Sequence, residues 1–128
     1  MNFSILQYDY KNLGNSFFQK YYSNMIHSGL LENLDLFDEK CLCNLNDEEH
    51  IGAYRIMVKL AQNGLYRFFY KVFSGTCQPI QNGFLLTTSG VCQLINFQNQ
   101  LISETHFSET FIISSQTMKI IHHKLCFL

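Results

Sequence analysis

The second half of the chain constrains the fold most, because its apolar and polar side chains alternate with the period of two that is typical of strands. Nothing with a helical period interrupts this half, and the composition of Pro79–Gly83 and Asn96–Gln100 indicates turns. Consecutive strands without crossover helices pair antiparallel, so one curved sheet is predicted. The predicted strands are Arg67–Gln78, Gly83–Ile95, Ser103–Ser114 and Thr117–Phe127.

The first half of the chain has a helical period instead. Apolar side chains recur at a spacing of four and predict a helix from about Lys11 to His27. A shorter helical stretch is predicted around Leu30–Phe37, then a short strand over Lys40–Asn46 and a further helix over Ile51–Gln62. The fold class is therefore α+β, with three N-terminal helices packed in a strongly curved antiparallel sheet, as a single domain spanning residues 1–128. The side chains that define the first helix are Leu13, Phe17, Tyr21 and Met25.

Composition excludes several classes of protein. Only 15% of the 128 residues are charged, against about 25% in an average soluble domain, which excludes a disordered polyelectrolyte. A net charge of −1 argues against a nucleic-acid binder that works by neutralising phosphates. No apolar run approaches the roughly 18 residues of a membrane helix. The first residues lack the basic start of a secretory signal, so the five cysteines are predicted to be reduced thiols.

Motifs for catalysis or metal binding are sparse. The sequence contains no G-x-S-x-G, P-loop, G-x-G-x-x-G or H-E-x-x-H motif, so no enzymatic activity is predicted. Cys41 and Cys43 resemble half of a thiolate zinc site, but no second pair stands at a suitable spacing, and buried thiols are the preferred interpretation. His122 and His123 are neighbours in a predicted strand, so their rings face opposite sides of the sheet. No metal and no cofactor are expected.

Two groups of acidic residues have roles that the sequence leaves open. The run Asp47–Glu49 precedes a predicted helix, where carboxylates either stabilise the helix N-terminus or offer an acidic contact to a basic partner. Glu109 alternates with Phe107 and Phe111 in a predicted strand. It either faces inward, as a carboxylate base in an apolar pocket would, or lies on a solvent-facing side of the sheet.

Short motifs along the chain resemble those of the nuclear transport factor 2 family, in the same order. The longest is Leu13–Tyr22 (LGNSFFQKYY), which resembles the family's opening helix, with its Gly, a small residue, Ser-Phe, Gln and a Tyr-Tyr pair. Together the motifs cover about Tyr10 to Leu128. The others are Leu36-Phe37, Cys41-Leu42, Ile51-Gly52-Ala53, Cys77-Gln78-Pro79, Phe107–Phe111 and Lys124–Leu128.

The resemblance implies a cone-shaped α+β fold with a hydrophobic cavity, and dimerisation through the outer face of the sheet. Strands that are apolar on both sides agree with a dimer, because both faces then need a cover. Phe107, Glu109 and Phe111 are the candidates for this outer face. The implied function is nucleocytoplasmic transport without enzymatic activity, in the cytoplasm, the nucleus and the nuclear pore.

The resemblance also implies particular partners. Tyr10 stands four residues before the helix glycine, where the family has an aromatic residue that binds phenylalanine-glycine repeats of nucleoporins. Asn44, Leu45, Asp47 and Glu48 are the candidates for binding the GTPase Ran in its GDP form, because they stand at or beside the family's Ran-binding Trp-Glu pair. Direct binding to nucleic acid or to a membrane is not implied.

Two alternatives remain open from the sequence. The small subunit of the heterodimeric messenger-RNA export receptor shares the family's fold and lacks the Ran-binding acids, as does the hairpin Ile95–Ser103 here. A larger receptor subunit would then replace the second copy of the chain. An enzyme of the ketosteroid-isomerase kind also shares the fold and would need an inward-facing acid or base, for which Glu109 and His122 are the candidates.

Overall fold

The computed structural model describes residues 12–23, 30–52, 66–96 and 98–127. Within these ranges the chain forms one α-helix, α1 (residues 12–23), a 3₁₀ helix (Leu30–Leu36) and one six-stranded sheet. The α+β class predicted from the sequence is confirmed. The strands are β1 (Phe37–Leu45), β2 (Glu48–Ile51), β3 (Tyr66–Ile80), β4 (Gly83–Asn96), β5 (Leu101–Ser114) and β6 (Ile120–Phe127).

Strands β3 to β6 form the antiparallel meander that the alternating pattern predicts. The sheet as a whole is mixed, because β1 pairs parallel to β6 and β2 then covers the other edge of β1. The spatial order is β2-β1-β6-β5-β4-β3. The strand register shifts between Val72 and Ser74, between Leu94 and Ile95 and between Ile112 and Ile113, and irregularities of this kind bend a sheet.

The N-terminal helices are confirmed only in part. The first predicted helix is present over residues 12–23, and the second helical stretch is the 3₁₀ helix Leu30–Leu36. The helix predicted over Ile51–Gln62 is wrong at its start, because Glu48–Ile51 is strand β2; residues 53–62 lie outside the described residues. In the described part of the chain α1 is therefore the one α-helix.

A tight turn explains why the acidic run Asp47–Glu49 does not begin a helix. Asn46 and Asp47 have φ angles of 49° and 69°, a left-handed conformation that Asn and Asp tolerate better than most residues. This turn folds β2 back onto β1, with Glu48 opposite Leu45. The acids therefore lie at the tip and along the edge of a β-hairpin.

The core lies between α1 and the inner face of the sheet. Phe17 and Tyr21 of α1 pack edge-on against Phe111, with ring centroids 5.0 and 4.9 Å apart. The helix approaches β3 closely at Gly14, where a Cβ atom would lie only 2.7 Å from the Cβ of Cys77. A larger residue at position 14 would push α1 away from the sheet, and this accounts for the glycine in the helix motif.

Phe107, Glu109 and Phe111 lie on the inner face of β5, which corrects their assignment to the outer face. Each is no more than 2% exposed within the single chain, and aromatic side chains of α1 pack against them. The alternation of β5 predicted that these three share a face, but it could not say which face α1 covers. The outer face of β5 carries the intervening residues, such as Ser108 and Thr110. Tyr10 lies outside the described residues.

Candidate functional site

The carboxylate of Glu109 is the centre of a buried polar cluster between α1 and the sheet. Its side chain is 1% exposed and accepts hydrogen bonds from three groups of the protein. The hydroxyls of Tyr21 and Tyr22 donate to Oε2 and Oε1 at 2.9 and 2.7 Å, and Nε2 of His123 donates to Oε2 at 2.6 Å. Tyr22 also lies 2.5 Å from the Thr88 hydroxyl. We call Glu109, Tyr21, Tyr22, His123 and Thr88 the carboxylate cluster.

Four elements hold this cluster in place. Tyr21 and Tyr22 are consecutive on α1, and the Asn33 amide donates to the backbone carbonyl of Tyr21 at 3.1 Å. Thr88 stands on β4, Glu109 in the middle of β5, and His123 on the neighbouring β6 opposite Phe111. Because the four elements meet only in the folded chain, the cluster forms only when α1 packs against the sheet.

Burial and the Glu109 carboxylate set the protonation of the groups around it. Desolvation, with Glu109 adding to it, raises the pKa of both Tyr21 and Tyr22 well above the ordinary value, so both remain neutral donors. Burial alone would lower the pKa of His123, but the Cys43 thiol and the Glu109 carboxylate outweigh it and raise the pKa to about 9. His123 is therefore an imidazolium ion paired with Glu109 at neutral pH.

Two cysteines extend the cluster toward β1. Cys43 lies opposite His123 in the parallel β1–β6 register, and its Sγ is 3.7 Å from the Sγ of Cys41. The hydrogen bond between the two sulfurs, together with the His123 imidazole, lowers the pKa of Cys43 to about 5 against the opposing effect of burial. The same hydrogen bond and burial raise the pKa of Cys41. Among the described residues no three His, Cys, Asp or Glu side chains could hold a metal ion.

The residues predicted for Ran binding lie at the β1–β2 hairpin. Asp47 and Glu48 are exposed, Asn44 is half-buried and Leu45 is buried. The side-chain oxygen of Asn44 accepts a hydrogen bond from the Asp47 amide at 2.8 Å, which stabilises the turn. The side chains of Asp47 and Glu48 are thus accessible from solvent, with Glu48 Oε1 3.4 Å from Nε2 of His50, whereas Asn44 and Leu45 shape the hairpin.

A pocket of about 290 Å³ opens beside this hairpin. His122 lines it, so of the two adjacent histidines His123 faces the core and His122 does not. The pocket is lined by Leu42, Cys43, Asn44, Glu49, His50, Ile51 and His122.

None of the helices in the described part of the chain is long and apolar enough to cross a membrane.

No protein-family model and no curated protein matches this sequence. Solved structures do match. Nuclear transport factor 2 from Cryptosporidium parvum superposes with a TM-score of 0.76 at 18% identity, covering 93% of this chain and 94% of that one. The C. albicans Mtr2-Mex67 M domain complex contains a chain that matches with a TM-score of 0.65 at 14% identity, covering 91% and 94%. A putative polyketide cyclase from Xanthomonas campestris pv. campestris matches with a TM-score of 0.68 at 14% identity, covering 90% of each chain.

The chain has the nuclear transport factor 2-like fold. The resemblance found in the sequence is confirmed at the level of this fold. Its structural neighbours include a nuclear transport factor, a chain of a Mex67:Mtr2 complex with a bound peptide, a putative cyclase and a putative isomerase, so the fold by itself is compatible with both binding and catalysis.

Glu109 is the one member of the carboxylate cluster that is a candidate from the sequence, and the residues that bind it, Tyr21, Tyr22 and His123, are not among the candidates. The available signals were the Tyr21-Tyr22 pair on the apolar face of the predicted helix and the two adjacent histidines in the last strand. Tyrosine hydroxyls on a buried face need acceptors, and a carboxylate in an alternating apolar strand is one. This pairing would have placed Glu109 on the inner face of the nuclear transport factor 2-like fold.

The pH dependence of stability tests the charge of His123. In a Cys43→Ser variant the contribution of Cys43 is lost, but the Glu109 carboxylate still acts against burial to raise the pKa of His123, and we expect that pKa to stay above the unfolded value of 6.5. Stability from a raised pKa is complete below the unfolded pKa and is lost as the pH rises through the folded pKa. We expect the unfolding equilibrium constant of this variant to increase by up to about tenfold per pH unit above pH 6.5, measured by urea titration.

The wild-type chain provides the control for this measurement. Its stability should change less over the same pH range, because the unfolded chain keeps a proton on Cys43 that the folded chain has released. The contributions of His123 and of Cys43 to the pH dependence of stability have opposite signs and offset each other. A Cys43→Ser variant whose stability does not depend on pH between 6.5 and 9 would contradict an ionised His123.

Proposed function

We propose that this protein is a nucleocytoplasmic transport factor that acts through its surface and not as an enzyme. In this proposal a homodimer binds phenylalanine-glycine repeats of nucleoporins and carries Ran-GDP through the nuclear pore, moving between cytoplasm and nucleus. The main support is that α1, whose sequence resembles the opening helix of the nuclear transport factor 2 family, closes the inner face of the sheet with its own aromatic side chains.

The closed interior favours a carrier over an enzyme. A general base has to reach a proton on a substrate. Here Tyr21, Tyr22 and His123 already hold the oxygens of Glu109, and the carboxylate is 1% exposed. His122, the other candidate for catalysis, lies outside the core and lines the hairpin pocket. Neither residue offers a free base to a ligand beneath α1.

The acidic hairpin supports the Ran-binding part of the proposal. Asp47, Glu48 and Glu49 are exposed at its tip and edge. Carboxylates grouped on a protruding hairpin suit a basic surface on a protein partner, which they attract over several ångströms. Asp47 and Glu48 are proposed to contact Ran directly, because Leu45 is buried and Asn44 is engaged in the turn.

A second candidate function rests on the late hairpin. Leu101 and Ile102 are 56% and 51% exposed, and no acid accompanies them between Ile95 and Ser103. Exposed apolar side chains suit a permanent partner subunit better than a transient charged one. This observation supports a small subunit of a heterodimeric messenger-RNA export receptor, in which a larger subunit covers this surface.

Binding to Ran separates the two candidates. We expect the chain to bind Ran loaded with GDP and not Ran loaded with GTP. The double variant Asp47→Asn/Glu48→Gln should bind about 5- to 30-fold more weakly, since surface ion pairs contribute roughly 0.5–1 kcal/mol each. Isothermal titration calorimetry measures both affinities. Glu104→Gln, an exposed acid on β5, is the matched control and should bind like the wild type.

Light scattering and repeat binding complete the test. A homodimer that binds nucleoporin repeats, more weakly in a Tyr10→Ala variant, supports the transport factor. If the protein binds neither Ran-GDP nor Ran-GTP and is a monomer in the absence of a partner, the result supports the export-receptor subunit. A homodimer that binds neither Ran nor repeats contradicts both candidates.

A further inference from the structure

The pocket beside the β1–β2 hairpin lies on the outer face of the sheet. Cys43 points to the core, so its neighbours Leu42 and Asn44 in β1 point outward. In the strand register Leu42 stands opposite Ile51 of β2 on one side and opposite His122 of β6 on the other. Three adjacent strands therefore place side chains around one pocket on the face that α1 does not cover.

Two branched aliphatic side chains form apolar walls of this pocket. Leu42 is 53% exposed and Ile51 is 68% exposed, which makes Ile51 the most exposed large apolar side chain in the described part of the chain. The volume of about 290 Å³ lies at the lower end of the roughly 300–1,000 Å³ of ligand pockets, so it suits a single side chain. A ligand with an apolar stem would remove these walls from water, which stabilises a complex.

Two polar groups without partners line the same pocket. Glu49 stands two residues before Ile51 in β2, and its carboxylate forms no ion pair with any described residue. Nδ1 of His122 is buried and has no hydrogen-bond partner within the described ranges. Buried polar atoms in folded proteins nearly always have one. A ligand that carries several N–H donors would satisfy both the carboxylate and the imidazole, because a neutral imidazole accepts through one of its nitrogens.

The charge of the pocket favours a cation. Glu49 is the one carboxylate among the lining residues, and these residues include no Lys or Arg. The exposed acids Asp47 and Glu48 precede Glu49 at the tip of the hairpin. Lys40 and Lys124 lie on neighbouring parts of β1 and β6, but neither lines the pocket. The lining therefore attracts a positively charged group and would repel an anion.

We propose that this pocket binds an arginine side chain of a protein partner. The aliphatic stem lies between Leu42 and Ile51, and the guanidinium donates to the Glu49 carboxylate and to the His122 imidazole. A guanidinium is planar, weakly hydrated and rich in donors, so it suits a carboxylate beside apolar surface better than an ammonium does. The inference deepens the proposed function and rests on it for the identity of the partner, because it names the side chain that the acidic hairpin selects.

NMR titration of the isotope-labelled full chain with N-acetyl-arginine-N-methylamide tests this proposal. We expect the amide signals of Leu42, Ile51 and His122 to shift, with a dissociation constant in the millimolar range. The corresponding citrulline compound has nearly the same shape without the charge, and it should bind about 5-fold more weakly. Equal binding of the two compounds, or shifts confined to other parts of the chain, would overturn the proposal.

The lysine compound tests the preference for a guanidinium. It carries the same charge on an ammonium, and we expect its affinity to lie between those of the arginine and citrulline compounds. If it binds as tightly as the arginine compound or more tightly, the pocket selects charge alone, and arginine is the wrong occupant.

Two variants at exposed positions separate the contributions of charge and of apolar contact. Glu49→Gln should weaken binding of the arginine compound about 5-fold, and Ile51→Ser should weaken it about 3-fold. Glu104→Gln removes an exposed acid of β5 far from the pocket lining and should bind like the wild type. If Glu49→Gln binds the arginine compound as tightly as the wild type does, the assignment of the carboxylate is wrong.

The same titration distinguishes the other candidate occupant, a second copy of the chain. If a second copy fills the pocket, binding of the arginine compound will weaken as the protein concentration rises, and this would overturn an arginine from a different protein. Binding of Ran-GDP without binding of the arginine compound would refute this inference and leave the proposed function standing. Binding of the arginine compound without binding of Ran-GDP would refute the proposed partner and leave the preference of the pocket for arginine standing.

Discussion

Replacing Glu109 with alanine should lower the free energy of unfolding by about 3–5 kcal/mol. The substitution leaves the hydroxyls of Tyr21 and Tyr22 and the charged imidazole of His123 buried without their shared acceptor. An unpaired buried charge is destabilising because the interior does not replace the lost hydration. Urea unfolding followed by far-UV circular dichroism measures the loss. A domain whose total stability lies at the lower end of the usual range of about 5–15 kcal/mol would be left close to unfolding.

Glu104 provides a matched control for this effect. It lies on the same strand, is exposed and hydrogen-bonds only at the surface, to Gln93. Glu104→Ala should change stability by no more than about 0.5 kcal/mol. The loss of stability in Glu109→Gln should lie between the losses in Glu109→Ala and Glu104→Ala, because glutamine keeps an acceptor oxygen but carries no charge. If Glu109→Ala and Glu104→Ala are equally stable, the carboxylate cluster does not hold α1 to the sheet.

Replacing Phe111 with alanine should lower the free energy of unfolding by about 3–5 kcal/mol as well, for a different reason. The ring is fully buried and packs against Phe17, Tyr21 and His123 at centroid distances of 5.0, 4.9 and 5.1 Å. Truncation leaves a cavity that these rings cannot fill without moving α1. Because the contacts are all within one chain, the loss should be the same at low and high protein concentration.

The next residue in β5 is the control for the Phe111 measurement. Ile112 is half-buried on the opposite face of the sheet, so Ile112→Ala should remove less packing within the chain. If the outer face forms a dimer, the effect of Ile112→Ala will depend on protein concentration. A loss in Phe111→Ala that disappears at high concentration would instead place Phe111 between subunits.

The elements that the sequence predicted correctly are those whose formation depends mainly on neighbouring residues. The spacing of four in α1 and the alternation in β3 to β6 are properties of neighbouring residues, and the structure has these elements nearly where they were expected. The parallel pairing of β1 with β6 joins segments about 80 residues apart, and no local signal carries it. The hairpin at Asn46-Asp47 depends on left-handed backbone angles. The acidic run was interpreted as the start of a helix, so the turn was not predicted.

The inward histidine could not be assigned from the sequence because the alternation in the last strand is broken. Ile120 pairs with Ile113, but His122 pairs with Ile112, so one residue of β6 has no partner at this point. Counting by twos from Ile120 therefore turns His122 to the core, whereas the structure turns His123 there. A single extra residue decided which imidazole meets Glu109.

The hydrogen bond between Tyr21 and Glu109 joins residues 88 positions apart in the chain. A ribosome that adds about 5–20 residues per second needs roughly 4–18 s to make the sequence between them. During that time the amphipathic first helix has left the exit tunnel, and its aromatic face has no sheet to cover it. Newly made chains therefore pass through a stage that a chaperone would recognise, and the domain completes its folding only after β5 and β6 have been made.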